Sequence, residues 1–270
     1  MKISGIILAF LILAGMAVRA QQIYIRAGLG IAASTAAFNT TDYNITTSSA
    51  VYTTKKQGLG TGMPFVVAAG YNFSKHFALE LGVDYIYGFS LKQTGNGGSY
   101  STDSKWHGQM LSIVPAFVMS LPLDKFKPYA RLGLKLGVLS NVIYQRHEIN
   151  TGSFKLTGDD GMIKSKDYGG VAIGAQAALG TDFVLGKVIS LFGEIQLDGI
   201  SYSPKHYKYT EYTKNGVDQL ATMTVSQKQF DYVKETDLMV SSPDDQPAKL
   251  NRTTHQFGNI GLVLGVKVTL

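Results

Sequence analysis

The chain has 270 residues, a formal net charge of +6 and no cysteine. Without cysteine there is no disulfide framework, thiolate metal site, cysteine nucleophile or lipidated N-terminal cysteine. Charged residues make up 16%, below the ~25% usual for a soluble domain, and 45% hydrophobic content excludes a chain that is disordered throughout.

Lys2 gives a short basic start, and Ile6 to Leu13 is an apolar run of signal-peptide length, too short to span a bilayer comfortably. Val18-Arg19-Ala20 fits a signal-peptidase site. The expectation is a cleaved signal peptide over 1–20 and a mature domain over 21–270, with an uncleaved anchor as the alternative. No later apolar run is long enough for a transmembrane helix. The chain is therefore expected to be exported, and then either to stay soluble or to enter a membrane as a β-barrel.

From residue 22 onward the sequence alternates with period two, which marks strands, because successive side chains point to opposite faces. Ile23, Ile25, Ala27, Leu29 and Ile31 alternate with Tyr24, Arg26, Gly28 and Gly30. Phe77, Leu79, Leu81, Val83, Tyr85, Tyr87 and Phe89 form a longer series against Ala78, Glu80, Gly82, Asp84, Ile86 and Gly88. Ala130 to Val138 repeats it against Arg131, Gly133, Lys135 and Gly137, and Leu262, Leu264, Val266, Val268 and Leu270 close the chain the same way. Eight segments are expected, near 22–33, 63–73, 76–90, 107–121, 128–141, 168–183, 188–203 and 255–270.

Three short connections, 74–75, 122–127 and 184–187, alternate strictly with four long ones, about 34–62, 91–106, 142–167 and 204–254. An antiparallel up-and-down sheet then carries all its short turns at one end and all its long loops at the other. A soluble sandwich has no reason to sort its loops this way, whereas a membrane barrel with short periplasmic turns and long extracellular loops does. The fold class is all-β: an eight-stranded antiparallel transmembrane β-barrel. In the last loop Tyr207, Tyr209 and Tyr212 precede Lys214-Asn215-Gly216, a hairpin signal. This hairpin reads as strands rising above the membrane, with a ten-stranded barrel as the alternative.

One face of the strands is almost free of charge. The other holds glycines, among them Gly28, Gly30, Gly70, Gly82, Gly133, Gly174, Gly261 and Gly265, together with charged residues. A solvated outer surface does not need such small residues, but the interior of a narrow barrel does. The charged face is therefore placed inside, with the apolar face toward lipid. Arg26, Arg131, Lys135 and Lys267 nearly balance Glu80, Asp84, Asp182, Glu194 and Asp198. Arg26, Glu80, Arg131, Glu194 and Lys267 fall at similar depths, and Asp84, Lys135 and Asp198 form a second layer further out. An unpaired charge there costs several kcal/mol, so pairing across the lumen is expected. The network then either fills and registers the barrel or gates small ions. Tyr71, Phe73, Phe77 and Phe183 at the short turns, and Tyr85, Tyr87 and Phe89 toward the long loops, suit two interfacial aromatic girdles.

These segments, with the alternating terminal strand from Gly258 to Leu270, resemble small outer-membrane β-barrel proteins, broadly the barrel domain of outer-membrane protein A and its relatives. The Ala-Gln cleavage site and glycine-rich strands resemble versions from Bacteroidetes, including the PorT-like group. The resemblance implies residence in the outer membrane of a Gram-negative bacterium and recognition of the last strand by the barrel-assembly machinery. It also implies contact with outer-membrane lipid and lipopolysaccharide. Leu270 departs from the aromatic residue that usually ends such chains. Glu80, Glu194, Arg131 and Lys267 are similar in kind to the ion-pair gate attributed to the outer-membrane protein A barrel.

Signatures of other chemistry are missing. His76, His107, His147, His206 and His255 lack metal-ligand spacing. A rim dyad or triad would draw on His107, His255, Ser203 or Asp103, and no spacing supports one. Asp159-Asp160-Gly161 and Asp244-Asp245 lack the ligand series of a calcium loop. The lysines form no basic stripe for nucleic acid. No catalytic, cofactor or metal site is expected. The expected role is structural, anchoring or surface-interacting, carried by the long loops, with a low-conductance channel or a secretion-system accessory barrel as alternatives.

Overall fold

The computed structural model describes residues 22–36, 38–97, 100–150, 160–236 and 242–270. The proposed signal peptide, and Asp159 of the acidic run, lie outside the described residues. Eight strands form the barrel: β1 Gln22–Ser34, β2 Gly62–Asn72, β3 Phe77–Gly88, β4 Tyr100–Ser120, β5 Phe126–Asn150, β6 Val171–Val184, β7 Ile189–Ser203 and β8 Asn259–Thr269. Each pairs antiparallel with the next, and β8 returns to β1 in a register running from Tyr24↔Thr269 to Ser34↔Asn259. The ring therefore has no free edge. Connections 73–76, 121–125 and 185–188 lie at one end and 35–61, 89–99, 151–170 and 204–258 at the other. Among the described residues no helix is long and apolar enough to cross a membrane.

Burial is inverted relative to a soluble protein. Leu132 and Leu179 are 66% and 69% exposed, while Arg131 and Glu194 are 2% and 1% exposed. A β-bulge between β4 and β5 opposes Leu111 and Ser112 to Leu139 and Gly137, leaving Val138 as the extra residue. Val138 and Leu139 consequently both point outward, and the inward series passes from odd positions, ending at Gly137, to even ones, including Val142.

Two strands run further than their alternating segments. β4 has 21 residues and β5 has 25, against the roughly 9–11 that a tilted span requires. The surplus rises above the membrane, where both faces are wet and alternation of apolar with polar residues is no longer required. The second long loop is correspondingly shorter, 89–99 rather than 91–106.

Around these extensions the loops build an open sheet, here called the collar. Across it, strand Ala50–Gln57 pairs with Phe38–Ile45, which runs parallel to Leu91–Asn96, which in turn pairs with the top of β4. On the other side the top of β5 pairs with Gly161–Tyr168, then come His206–Lys214, Gln229–Val233 and the parallel strand Ala248–Asn251. The hairpin signal falls here and not in the ring. Asn215 and Gly216, at φ 51° and 76°, make the two-residue turn that pairs Lys214 with Val217.

Two loop residues close the extracellular mouth. Leu59 and Phe257 turn into the lumen and pack with Ile86, Met110, Val142 and Tyr202. Phe257 is fully buried, and its backbone N–H donates to the Ile200 carbonyl at 3.0 Å. Gly108 makes room for it, since a Cβ there would lie 2.7 Å from the Phe257 ring.

Ring closure sets a sharp tolerance at the β1–β8 seam. A Cβ at Gly30 would sit 2.1 Å from the backbone oxygen of Leu262, whereas one at Gly199 meets nothing within 4 Å. Gly30→Val should abolish the boiling-dependent SDS gel shift that marks a closed barrel, and Gly199→Ala should retain it.

Candidate functional site

The inward parity stacks polar residues in layers along the barrel axis. Nearest the short turns, Lys267 Nζ lies 2.7 Å from Asp182 Oδ2 and 4.0 Å from the centre of the Tyr24 ring. Above it, two arginines and two glutamates alternate. Arg26 contacts Glu80 at 3.2 Å and Glu194 at 2.8 Å, while Arg131 contacts Glu194 at 2.6 Å and Glu80 at 3.9 Å. The hydroxyls of Tyr24 and Tyr129 donate to Glu80 and Glu194 at 2.8 and 2.7 Å. Arg26 also lies over the Phe192 ring at 5.0 Å.

Val66, Phe192 and Val263 pack as an apolar cluster in the lumen. In the next polar layer, Lys135 Nζ bridges Asp84 at 3.1 Å and Asp198 at 2.6 Å. Gln176 joins the two polar layers, accepting from Arg131 at 2.5 Å and donating to Asp84 at 2.6 Å. Gln196 and Asn259 donate to Asp198 at 3.0 and 3.3 Å, and Asn259 also donates to the Phe257 carbonyl at 3.1 Å. The charged layers are thus tied to the plug above them.

Seven of the eight residues singled out from the sequence as a lumen network fall into these two layers. Lys267 does not join the arginine–glutamate layer. It is the direct cross-strand partner of Arg26, and like charges repel, so it turns toward the short-turn end to Asp182. Sequence reasoning overlooked Tyr24, Tyr129, Gln176, Gln196 and Asn259, although all share the parity of the charges. It also overlooked Leu59, a single apolar residue in a polar loop that leaves no periodic signal, and Phe257, which lies in the expected 255–270 segment with the inward parity of Asn259. In the terminal strand Leu262, Leu264, Val266 and Leu270 are exposed on the outer face and Val268 is half-exposed. Outer aromatics cluster at the short turns, with Phe77 and Phe117 at 5.5 Å and Phe126 and Phe183 at 5.3 Å.

The collar carries a second cluster on the face continuous with the lumen. Ring centroids lie 5.1 Å apart for Trp106–Tyr144 and 5.4 Å for both Tyr207–Tyr209 and Tyr207–Phe230. Below them Asp167 accepts from Tyr232 at 2.8 Å and meets His255 Nε2 at 2.8 Å, while on the opposite face His206 Nδ1 meets its cross-strand partner Asp231 at 2.7 Å. Burial first, and then the Asp167 carboxylate, push the Tyr232 hydroxyl above its ordinary range, so it remains a neutral donor. The rim residues weighed for a dyad are dispersed: His107 meets Gln109, Ser203 meets Thr254, and Asp103 is exposed. Asp244 accepts from Ser226 Oγ at 3.5 Å and, through its carbonyl, from the Val225 N–H, so the 243–246 turn packs against the start of the short helix Val225–Lys228. Among the described residues no group of three or more His, Cys, Asp or Glu could hold a metal ion.

Residues 6–232 match the family model described as outer membrane protein beta-barrel domain. The chain belongs to that family and is an integral β-barrel of the outer membrane. No curated protein matches it. Among solved structures it is similar to Ail, the attachment invasion locus protein of Yersinia pestis, at 9% identity over 93% of this chain and 97% of that one, with a TM-score of 0.33.

The arginine–glutamate layer makes each member depend on the others. Removing one partner of a buried pair leaves uncompensated charge and costs about 3–5 kcal/mol. Glu194→Leu leaves Arg26 and Arg131 to share Glu80 alone, and urea unfolding in detergent micelles should report a loss in that range. Lys267→Gln, at a less buried pair where the amide can still donate to Asp182, should cost less than Glu194→Leu.

Proposed function

We propose that this barrel is a structural, surface-interacting protein of the outer membrane, and that it anchors the extracellular collar without catalysing a reaction. The observation that carries the reading is continuity: β4 and β5 pass unbroken from the membrane into the collar, above a mouth stopped by Leu59 and Phe257. A rigid stem that ends in a folded sheet suits presentation. The collar face with Trp106, Tyr144, Tyr207, Tyr209 and Phe230 combines flat rings with hydroxyl donors, a composition that gives contact area at low entropic cost. On the opposite face Lys105, Lys166 and Lys208 would meet the anionic head groups of lipopolysaccharide.

The low-conductance channel reading is disfavoured by the plug and by the side chains that fill the lumen. The secretion-accessory reading rests on resemblance alone, and normal export of secreted proteins after gene deletion would remove it.

Purified barrel in a planar bilayer should give no stable conductance steps. Cells displaying it should adhere to at least one member of a panel of immobilised glycans and matrix proteins, and Tyr207→Ser/Tyr209→Ser should lose that adhesion while keeping the gel shift. Reproducible conductance without adhesion would favour the channel.

A further inference from the structure

The short-turn end holds a cavity that the reading above leaves unused. A polar bowl of about 400 Å³ opens at the periplasmic mouth, lined by Lys75, Lys127, Lys267 and Asp182 with hydroxyls that include Ser120 and Ser190. Its walls come from the 73–76 turn and the ends of β2, β4, β5, β6, β7 and β8. The bowl therefore lies on the barrel axis, inside the perimeter where lipid head groups stand.

Its charge is unbalanced. Three ammonium groups line it against one carboxylate, and Asp182 Oδ2 already holds Lys267 at 2.7 Å. Lys127 is the cross-strand partner of Asp182 yet forms no ion pair with it among the described contacts, and Lys75 has no ion pair among the described residues. Lys267 is fixed from both sides, by Asp182 and by the Tyr24 ring. Two lysines are thus left to act on whatever enters, beside hydroxyls able to donate hydrogen bonds. An ammonium group is a point charge that accepts carboxylate or phosphate alike, unlike the planar fork of arginine.

We propose that the periplasmic mouth is an oxyanion site, taking a carboxylate or phosphate presented from the periplasm. It is independent of the collar and stands whatever the collar binds.

The test is calorimetric titration of the full barrel in nanodiscs made with zwitterionic lipid. Inorganic phosphate is one probe, and a soluble muropeptide bearing stem-peptide carboxylates is the other. At least one should bind saturably and weaken as salt rises. Lys75→Gln/Lys127→Gln should reduce the affinity by about tenfold or more while the gel shift persists, because neither lysine holds a partner that the fold needs. Binding by phosphate identifies a free anion, and binding by the muropeptide alone identifies wall carboxylates. Failure of both probes to bind, or undiminished binding by the double variant, overturns the proposal.

Discussion

In hydrocarbon a strand has no water to satisfy its backbone, so every N–H and C=O must find a partner within the sheet. Closure of β8 onto β1 meets that requirement, and most other features follow from it. A ring of eight strands is narrow. Its inward side chains must be small, as at Gly30, Gly70 and Gly174, or must interlock, as Tyr24 and Tyr129 do with Glu80 and Glu194. Charges enclosed there stay ionised only when paired. Four cations therefore stand against five carboxylates in the lumen, with glutamine and asparagine amides supplying the remaining donors.

The ends of the barrel are finished differently. Outside, the plug of Leu59 and Phe257 rests on the upper charged layer through Asn259, and the collar continues the sheet beyond the need to cross lipid. Within the collar the pairings become irregular, with two parallel contacts and a bulge between Tyr209 and Glu211, because no bilayer enforces uniform register. Inside, short turns leave a bowl with more cations than anions. A filled shaft thus separates two exposed, chemically distinct ends.

The ring was legible because lipid imposes two strong patterns on a sequence, period-two alternation and sorting of loops by end. Parity also placed Arg26, Glu80, Asp84, Arg131, Lys135, Glu194 and Asp198 on a single face. Which acid meets which base depends on stagger between strands, and that was only partly readable; the displacement of Lys267 toward Asp182 arises from its cross-strand pairing with Arg26. The upper parts of β4 and β5 were unreadable because segments such as Ser101-Thr102-Asp103-Ser104-Lys105 are polar on both faces. The bulge at Val138 escaped detection because Val138 and Leu139 are both apolar, so the phase change left no mark.

Which face of the strands meets lipid decides everything else in the barrel. The native chain has no cysteine, so single-cysteine variants can be labelled cleanly with a small fluorophore and folded into bilayers containing brominated lipid. Labels at Leu132, Leu179 and Leu264 should be strongly quenched, and labels at Ser112 and Ala178 should not. Quenching at the second set and not the first would invert the barrel and contradict the account.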